Sequence, residues 1–162
     1  MTKLLKRAGL RKYLDATTKR LGSVSTSTQF DIVFGIDGTK SVNSSDYKCT
    51  LNMVKELTKL INAVQPINKN GTRVGIIKFS SEPIISLKLY EGNNLEKVLS
   101  ALADSTAPVP GVRTDRVINV ARRMLKGGGR QKAMKLMFII TNGNSKINPK
   151  KSADFARSDI SN

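Results

Sequence analysis

The chain has 162 residues, 39% of them apolar and grouped in periodic blocks, so it can build one domain with a real core and does not read as disordered. It contains no histidine, which excludes a histidine general base, a histidine-containing triad and histidine-ligated zinc. Its 28 Lys and Arg against 12 Asp and Glu give a net charge of +16, which predicts attraction to polyanions: nucleic acid, sulfated glycans such as heparan sulfate, or an anionic membrane.

Residues 1–29 read as a basic extension and linker, and residues 30–162 as the folded domain. In the first twenty residues, Leu4, Leu5, Ala8, Leu10 and Leu14 alternate with seven cations, a short basic amphipathic pattern. It suits either a solvated extension or a surface-binding helix. No secretory signal peptide is recognisable there, and no run reaches the roughly 18 apolar residues of a membrane span. Gly22 to Gln29 is rich in Ser and Thr and reads as the linker.

Phe30 to Ile36 is a nearly unbroken apolar run, the pattern of a strand buried on both faces in a parallel sheet. It runs into Asp37-Gly38-Thr39-Lys40-Ser41. One carboxylate and two hydroxyls at alternate positions offer hard oxygen ligands of the kind Mg²⁺ takes. The same residues also suit a turn and a helix N-cap. A helix beginning between Val42 and Asp46 follows, with Tyr47, Leu51, Val54, Leu57 and Ile61 inward. Arg73 to Phe79 is a second buried strand. Pro83 to Leu89 alternates and is expected to form an antiparallel edge strand beyond a short hairpin. Leu95 to Ala103 is a helix with Leu95, Val98, Leu99 and Leu102 inward. Asp115 to Leu125 is another, ended by Gly127-Gly128-Gly129. Lys135 to Thr141 is the last buried strand, and Pro149 to Ser158 starts the last helix. Strands alternating with helices predict an α/β sheet with helices on both faces. Cys49, the one cysteine, can form no internal disulfide.

Three blocks carry a resemblance. Asp31-Ile32-Val33-Phe34-Gly35-Ile36-Asp37-Gly38-Thr39-Lys40-Ser41-Val42 resembles the opening of a von Willebrand factor type A domain. There an apolar strand enters a D-x-S-x-S sequence, the first part of a metal-ion-dependent adhesion site. Gly71 to Ser80 is similar to the family's second strand. Lys135 to Gly143 is similar to the strand carrying its T-D-G motif. The resemblance implies a Rossmann-like, doubly wound, mainly parallel sheet with one antiparallel edge strand. It also implies that the last strands and helix of the full fold lie beyond Asn162, so that Leu136 to Ile140 would form an open edge prone to self-association.

Carried over residue by residue, the resemblance places Asp37, Thr39 and Ser41 at the first three metal positions. Val112 falls at the family's loop threonine, with Thr114 at a second threonine two residues on. Asn142 replaces the T-D-G aspartate. A carboxylate has become an amide, so Mg²⁺ or Mn²⁺ is expected to bind weakly or not at all, because charge does most to repay the ion's dehydration. The implied function is non-enzymatic adhesion to matrix or cell-surface proteins such as collagen. The loops containing Gly38, Lys40, Val112, Arg113 and Asn144 would make the contacts, in an extracellular setting. An intracellular scaffold of the same fold, associated with nucleic acid, is the alternative that the charge permits. An enzyme is disfavoured: no carboxylate pair recurs at a catalytic spacing, and Ser41 has no base partner.

Overall fold

The computed structural model describes residues 28–39, 44–103, 111, 113–141, 145 and 147–160. The amphipathic stretch from Met1 to Arg20 lies outside them. Strand β1, Phe30–Asp37, is buried along its whole length, as its unbroken apolar run requires. Two strands flank it in parallel, β2 (Thr72–Phe79) and β4 (Met134–Ile140). Strand β3, Pro83–Leu87, pairs antiparallel with β2 and completes the order β3-β2-β1-β4. The expected mainly parallel sheet with one antiparallel edge strand is therefore present.

Helices cover both faces. Helix α1 (Ser44–Val64) and helix α2 (Leu95–Ala103) lie over the face that carries Phe30, Ile32, Phe34 and Ile36. Phe34 stacks on Phe138 of β4 at 5.4 Å between ring centres. Helix α3, Thr114–Gly128, lies over the opposite face with Val117, Ala121 and Leu125 inward against Val33 and Ile77. Two glycines let it come close. A Cβ on Gly35 would stand 2.7 Å from Ile139 Cδ1 and 2.9 Å from Val117 Cγ2, and one on Gly75 would stand 2.6 Å from Met124 Sδ. Helix α4, Lys150–Ile160, docks on α3. Asp159 accepts from Arg122 at 2.5 Å and from Lys126 at 2.6 Å, and the Arg122 guanidinium lies over the Phe155 ring.

Several element ends differ from the sequence reading. Strand β3 stops at Leu87 instead of Leu89, because the chain turns where the Lys88 N–H donates to the Glu91 carboxylate. Leu89 is nevertheless fully buried. Helix α3 runs through Gly127 and Gly128 and ends only at Gly129, whose N–H donates to the Leu125 carbonyl. Each helical glycine costs about 1 kcal/mol, which does not stop a helix already held by its packed face. Helix α4 begins at Lys150 and continues to Ile160, past Ser158, held by Asp159 and by Ile160 against the α3-side core. Leu99 is half-buried, while Val98 and Leu102 fill the core.

Thr28 and Gln29, read as the end of a linker, already bond to the domain. The Thr28 carbonyl accepts from Gln65 Nε2, and the Gln29 carbonyl accepts from the Met134 N–H. Cys49 is exposed. Among the described residues β4 has β1 as its one neighbour, and none of its residues is fully buried. Among the described residues no helix is long and apolar enough to cross a membrane.

The amino ends of the strands are locked by one ion pair. Asp31 in β1 is wholly buried. Arg130, just after α3, reaches it with Nε at 3.0 Å, Nη2 at 2.7 Å and its backbone N–H at 2.5 Å. The same guanidinium donates to the carbonyls of Phe30, Gly71 and Lys69. One side chain thus joins β1, the entry to β2 and the turn into β4.

Arg130→Ala is expected to destabilise the domain by about 3–5 kcal/mol, because it leaves a buried carboxylate without its cation. The double substitution Arg130→Met with Asp31→Leu should recover most of that loss in denaturant unfolding. A loss of less than about 1 kcal/mol for the single variant would show that the clamp is dispensable.

The hydrogen bonds from Lys126 and Arg122 hold the Asp159 carboxyl below its ordinary range. A depressed carboxylate stabilises the fold above its unfolded value, about 3.9, and that contribution is lost as pH falls through the lower folded value. Amide exchange in α4 should therefore be steady from pH 7 to 5 and accelerate, beyond its intrinsic pH dependence, below about pH 4. Asp159→Asn should abolish that extra pH dependence.

Candidate functional site

The carboxyl ends of the parallel strands bring three loops together. Asp37, the last residue of β1, is 3% exposed. Its Oδ1 accepts the Thr39 N–H at 3.0 Å, a local turn bond that fixes the loop after the strand. Its Oδ2 accepts the Thr141 hydroxyl at 2.7 Å. Thr141, directly after β4, has no role that the sequence pattern reveals. Strand register supplies it: Ile36 pairs with Ile140, so the next residue of each strand lies side by side.

The end of β2 ties in the other loops through consecutive carbonyls. The Phe79 carbonyl accepts from the Gly38 N–H at 2.8 Å, and the Ser80 carbonyl accepts from the Arg113 N–H at 3.0 Å. The first places Gly38 and Thr39, and the second places the start of α3 on the same rim. Thr39 is 1% exposed and Thr114 6% exposed. The Thr114 hydroxyl is buried with no hydrogen-bond partner among the described residues, as is that of Ser145 in the loop after β4. Arg113 and Asp115 form a two-point pair at 2.9 and 2.8 Å, and this hydrogen bonding holds the Asp115 carboxyl below its usual range. Arg116 pairs with Glu82 of the β2–β3 hairpin on the same rim.

Of the residues expected at the site, Asp37, Gly38, Thr39, Arg113 and Thr114 are thus on one rim. Lys40, Ser41, Val112, Asn142 and Asn144 lie outside the described residues. Of the residues expected at the site, Asp37, Thr39 and Thr114 are the described ones that could offer side-chain oxygen to a cation. Asp37 uses two of the roughly four acceptor positions of a carboxylate, so it retains capacity. The Thr114 hydroxyl lacks the partner a buried polar atom normally has. The donor set therefore fits a hard divalent cation in kind and carries little charge for one. Among the described residues there is no group of three or more His, Cys, Asp or Glu side chains suited to a metal.

Residues 31–161 match the model of the von Willebrand factor type A domain. The chain belongs to this family. Vitrin of Homo sapiens is 28% identical over 144 residues, which is 85% of this chain and 21% of that protein. The collagen alpha-4(VI) chain of Mus musculus is 23% identical over 124 residues, 75% of this chain and 5% of that protein. The chain therefore spans about a fifth or less of the length of these relatives. Among solved structures, proximal thread matrix protein 1 from the mussel byssus, with a zinc-occupied MIDAS motif, superposes with a TM-score of 0.66. The two are 18% identical, over 83% of this chain and 36% of that one. Manganese-loaded TRAP protein of Plasmodium vivax superposes at 0.69 with 16% identity, over 83% of this chain and 55% of that one. Both likenesses show the type A fold, with its helices on both faces of a mainly parallel sheet. A collagen VI chain is thus among the chain's relatives, and two structures that share its fold carry zinc or manganese.

The unpartnered Thr114 hydroxyl gives a test. Thr114→Val removes it without changing shape, so stability without metal should be unchanged or slightly raised, because no hydrogen bond is lost. Mn²⁺ affinity should fall in the same variant. A destabilisation above about 1 kcal/mol would show that the hydroxyl is satisfied in solution.

Proposed function

We propose that this type A domain is a non-enzymatic, extracellular protein-binding module. It engages matrix or cell-surface proteins such as collagen through the rim formed by the ends of β1 and β4 and the start of α3. The observation that carries the reading is the buried Asp37 carboxylate on the same rim as the unpartnered Thr114 hydroxyl, in a chain whose relatives include a collagen VI chain. Among the described residues this carboxylate accepts from one N–H and one hydroxyl, which leaves lone pairs for a cation or for a partner's donor.

In this reading Asp37, Thr39, Ser41, Thr114 and Asn142 form a degenerate metal site for Mg²⁺ or Mn²⁺. Gly38, Lys40, Val112, Arg113 and Asn144 frame the contact surface. The ion would add charge that a partner's carboxylate could complete. With Asn142 in place of a carboxylate its affinity is low, and adhesion does not depend on it. The Arg113–Asp115 pair fixes the start of α3, so Arg113 positions the rim more than it reaches outward.

Binding to immobilised collagens and other matrix proteins should be saturable and only modestly changed between chelator and millimolar Mn²⁺. Asp37→Ala should weaken it, and Asn142→Asp should raise Mn²⁺ affinity by restoring a ligand charge. Unchanged protein binding in a folded Asp37→Ala variant would remove the rim from the interaction. Micromolar Mn²⁺ affinity in the native chain would show that the site is not degenerate.

A further inference from the structure

At the opposite pole, where the strands begin, the structure gathers cations that the adhesion rim does not use. Strand register puts Asp31 beside Arg73 of β2 on one side and beside Lys135 of β4 on the other. Neighbours in register share a face, so Arg73, Asp31 and Lys135 form a row across three strands on the α3 side. The single carboxylate of that row is fully engaged by Arg130. Among the described residues Arg73 has one long hydrogen bond, Nη2 to the Lys69 carbonyl at 3.4 Å, and its Nε is buried with no acceptor. The same Lys69 carbonyl accepts from Arg130, which brings the exposed Lys69 to the row, and the exposed Lys132 lies in the turn between Arg130 and β4. Of the carboxylates nearby, Asp159 is held by Arg122 and Lys126, and Glu91, in the turn beside Val74, accepts from the Lys88 N–H. Lys69, Arg73, Lys132 and Lys135 therefore have no carboxylate partner among the described residues.

We infer that Lys69, Arg73, Lys132 and Lys135, grouped round the Arg130–Asp31 clamp, form a binding surface for a sulfated glycan chain. The clamp fixes the backbone under these cations, so the surface is preformed and little order has to be gained on binding. Sulfate groups supply anionic acceptors for these cations, and a glycan chain supplies them in series. The named residues include no aromatic side chain on which bases could stack, which single-stranded nucleic-acid sites use. No helix among them is presented as a reader of a duplex groove. The charge points the same way as the net +16 of the chain and gives it a location on the folded domain.

The test uses the full chain and a heparin octasaccharide in titration calorimetry, with a DNA duplex of equal charge as the second probe. The variant Lys69→Gln, Lys132→Gln, Lys135→Gln is compared with a control of identical net charge, Lys48→Gln, Lys150→Gln, Lys151→Gln. The control positions sit on the first turns of α1 and α4, at the other end of the sheet. The pole variant should lose about tenfold or more in heparin affinity, and its log–log salt slope should shrink by about two, as expected for a few lost ionic contacts. The control should lose much less, with thermal unfolding of both variants unchanged. Equal losses in the two variants would reduce the effect to bulk charge and overturn the site. Tighter binding of the duplex than of heparin would overturn the glycan assignment. Neither result bears on the rim at Asp37, whose protein binding is measured separately.

Discussion

The fold depends on how one strand keeps two carboxylates out of water. Asp31 and Asp37 stand near the two ends of β1 and are both buried. Burying a charge is costly unless it is paired and hydrogen-bonded. At Asp31 the solution is complete: Arg130 gives three hydrogen bonds and a full positive charge, then spends its other donors on three carbonyls. At Asp37 the bonds found among the described residues come from an N–H and a hydroxyl, which satisfy lone pairs and bring no positive charge. The first end is a fastener. The second, among the described residues, is bonded by neutral donors alone.

The sheet between them turns this difference into geometry. β1 is buried along its whole length and is parallel to both neighbours, so its carboxyl end opens beside the ends of β2 and β4. Loops tied to Phe79, Ser80 and Thr141 then converge on Asp37, where open α/β sheets take their ligands. The amino ends gather Arg73, Arg130 and Lys135 by the same register. A single central strand thereby gives the domain one end poor in charge neutralisation and one end rich in cations.

Much of this was legible in the sequence because the periodicity was strong. The unbroken run Phe30 to Ile36 announced a central parallel strand, and the heptad-like spacing from Tyr47 to Ile61 announced α1. Asp37 and Thr39 were legible as a polar turn closing the strand. What stayed hidden depended on contacts far apart in the chain. Arg130 reaches Asp31 across 99 positions and Thr141 reaches Asp37 across 104, and no local pattern marks either pair. The glycine triplet misled for a related reason. Local propensity ends the helix at Leu125, but that residue is buried, and packing carries α3 three residues further, to Gly128. Arg113 read as a loop residue, while its pairing with Asp115 makes it part of the start of α3.

The bare positions at Gly35 and Gly75 carry a consequence for how such a sequence can drift. Helix α3 rests where two strands present no side chain, and the space is filled from above by Val117 and Met124 and from the neighbouring strand by Ile139. Volume here is shared by residues from three elements. A methyl group gained at position 35 must be given back at 117 or 139, and one gained at 75 must be given back at 124. Descendants of this chain are thus confined to matched exchanges of size, and the path between two acceptable combinations runs through an intermediate that is either crowded or hollow.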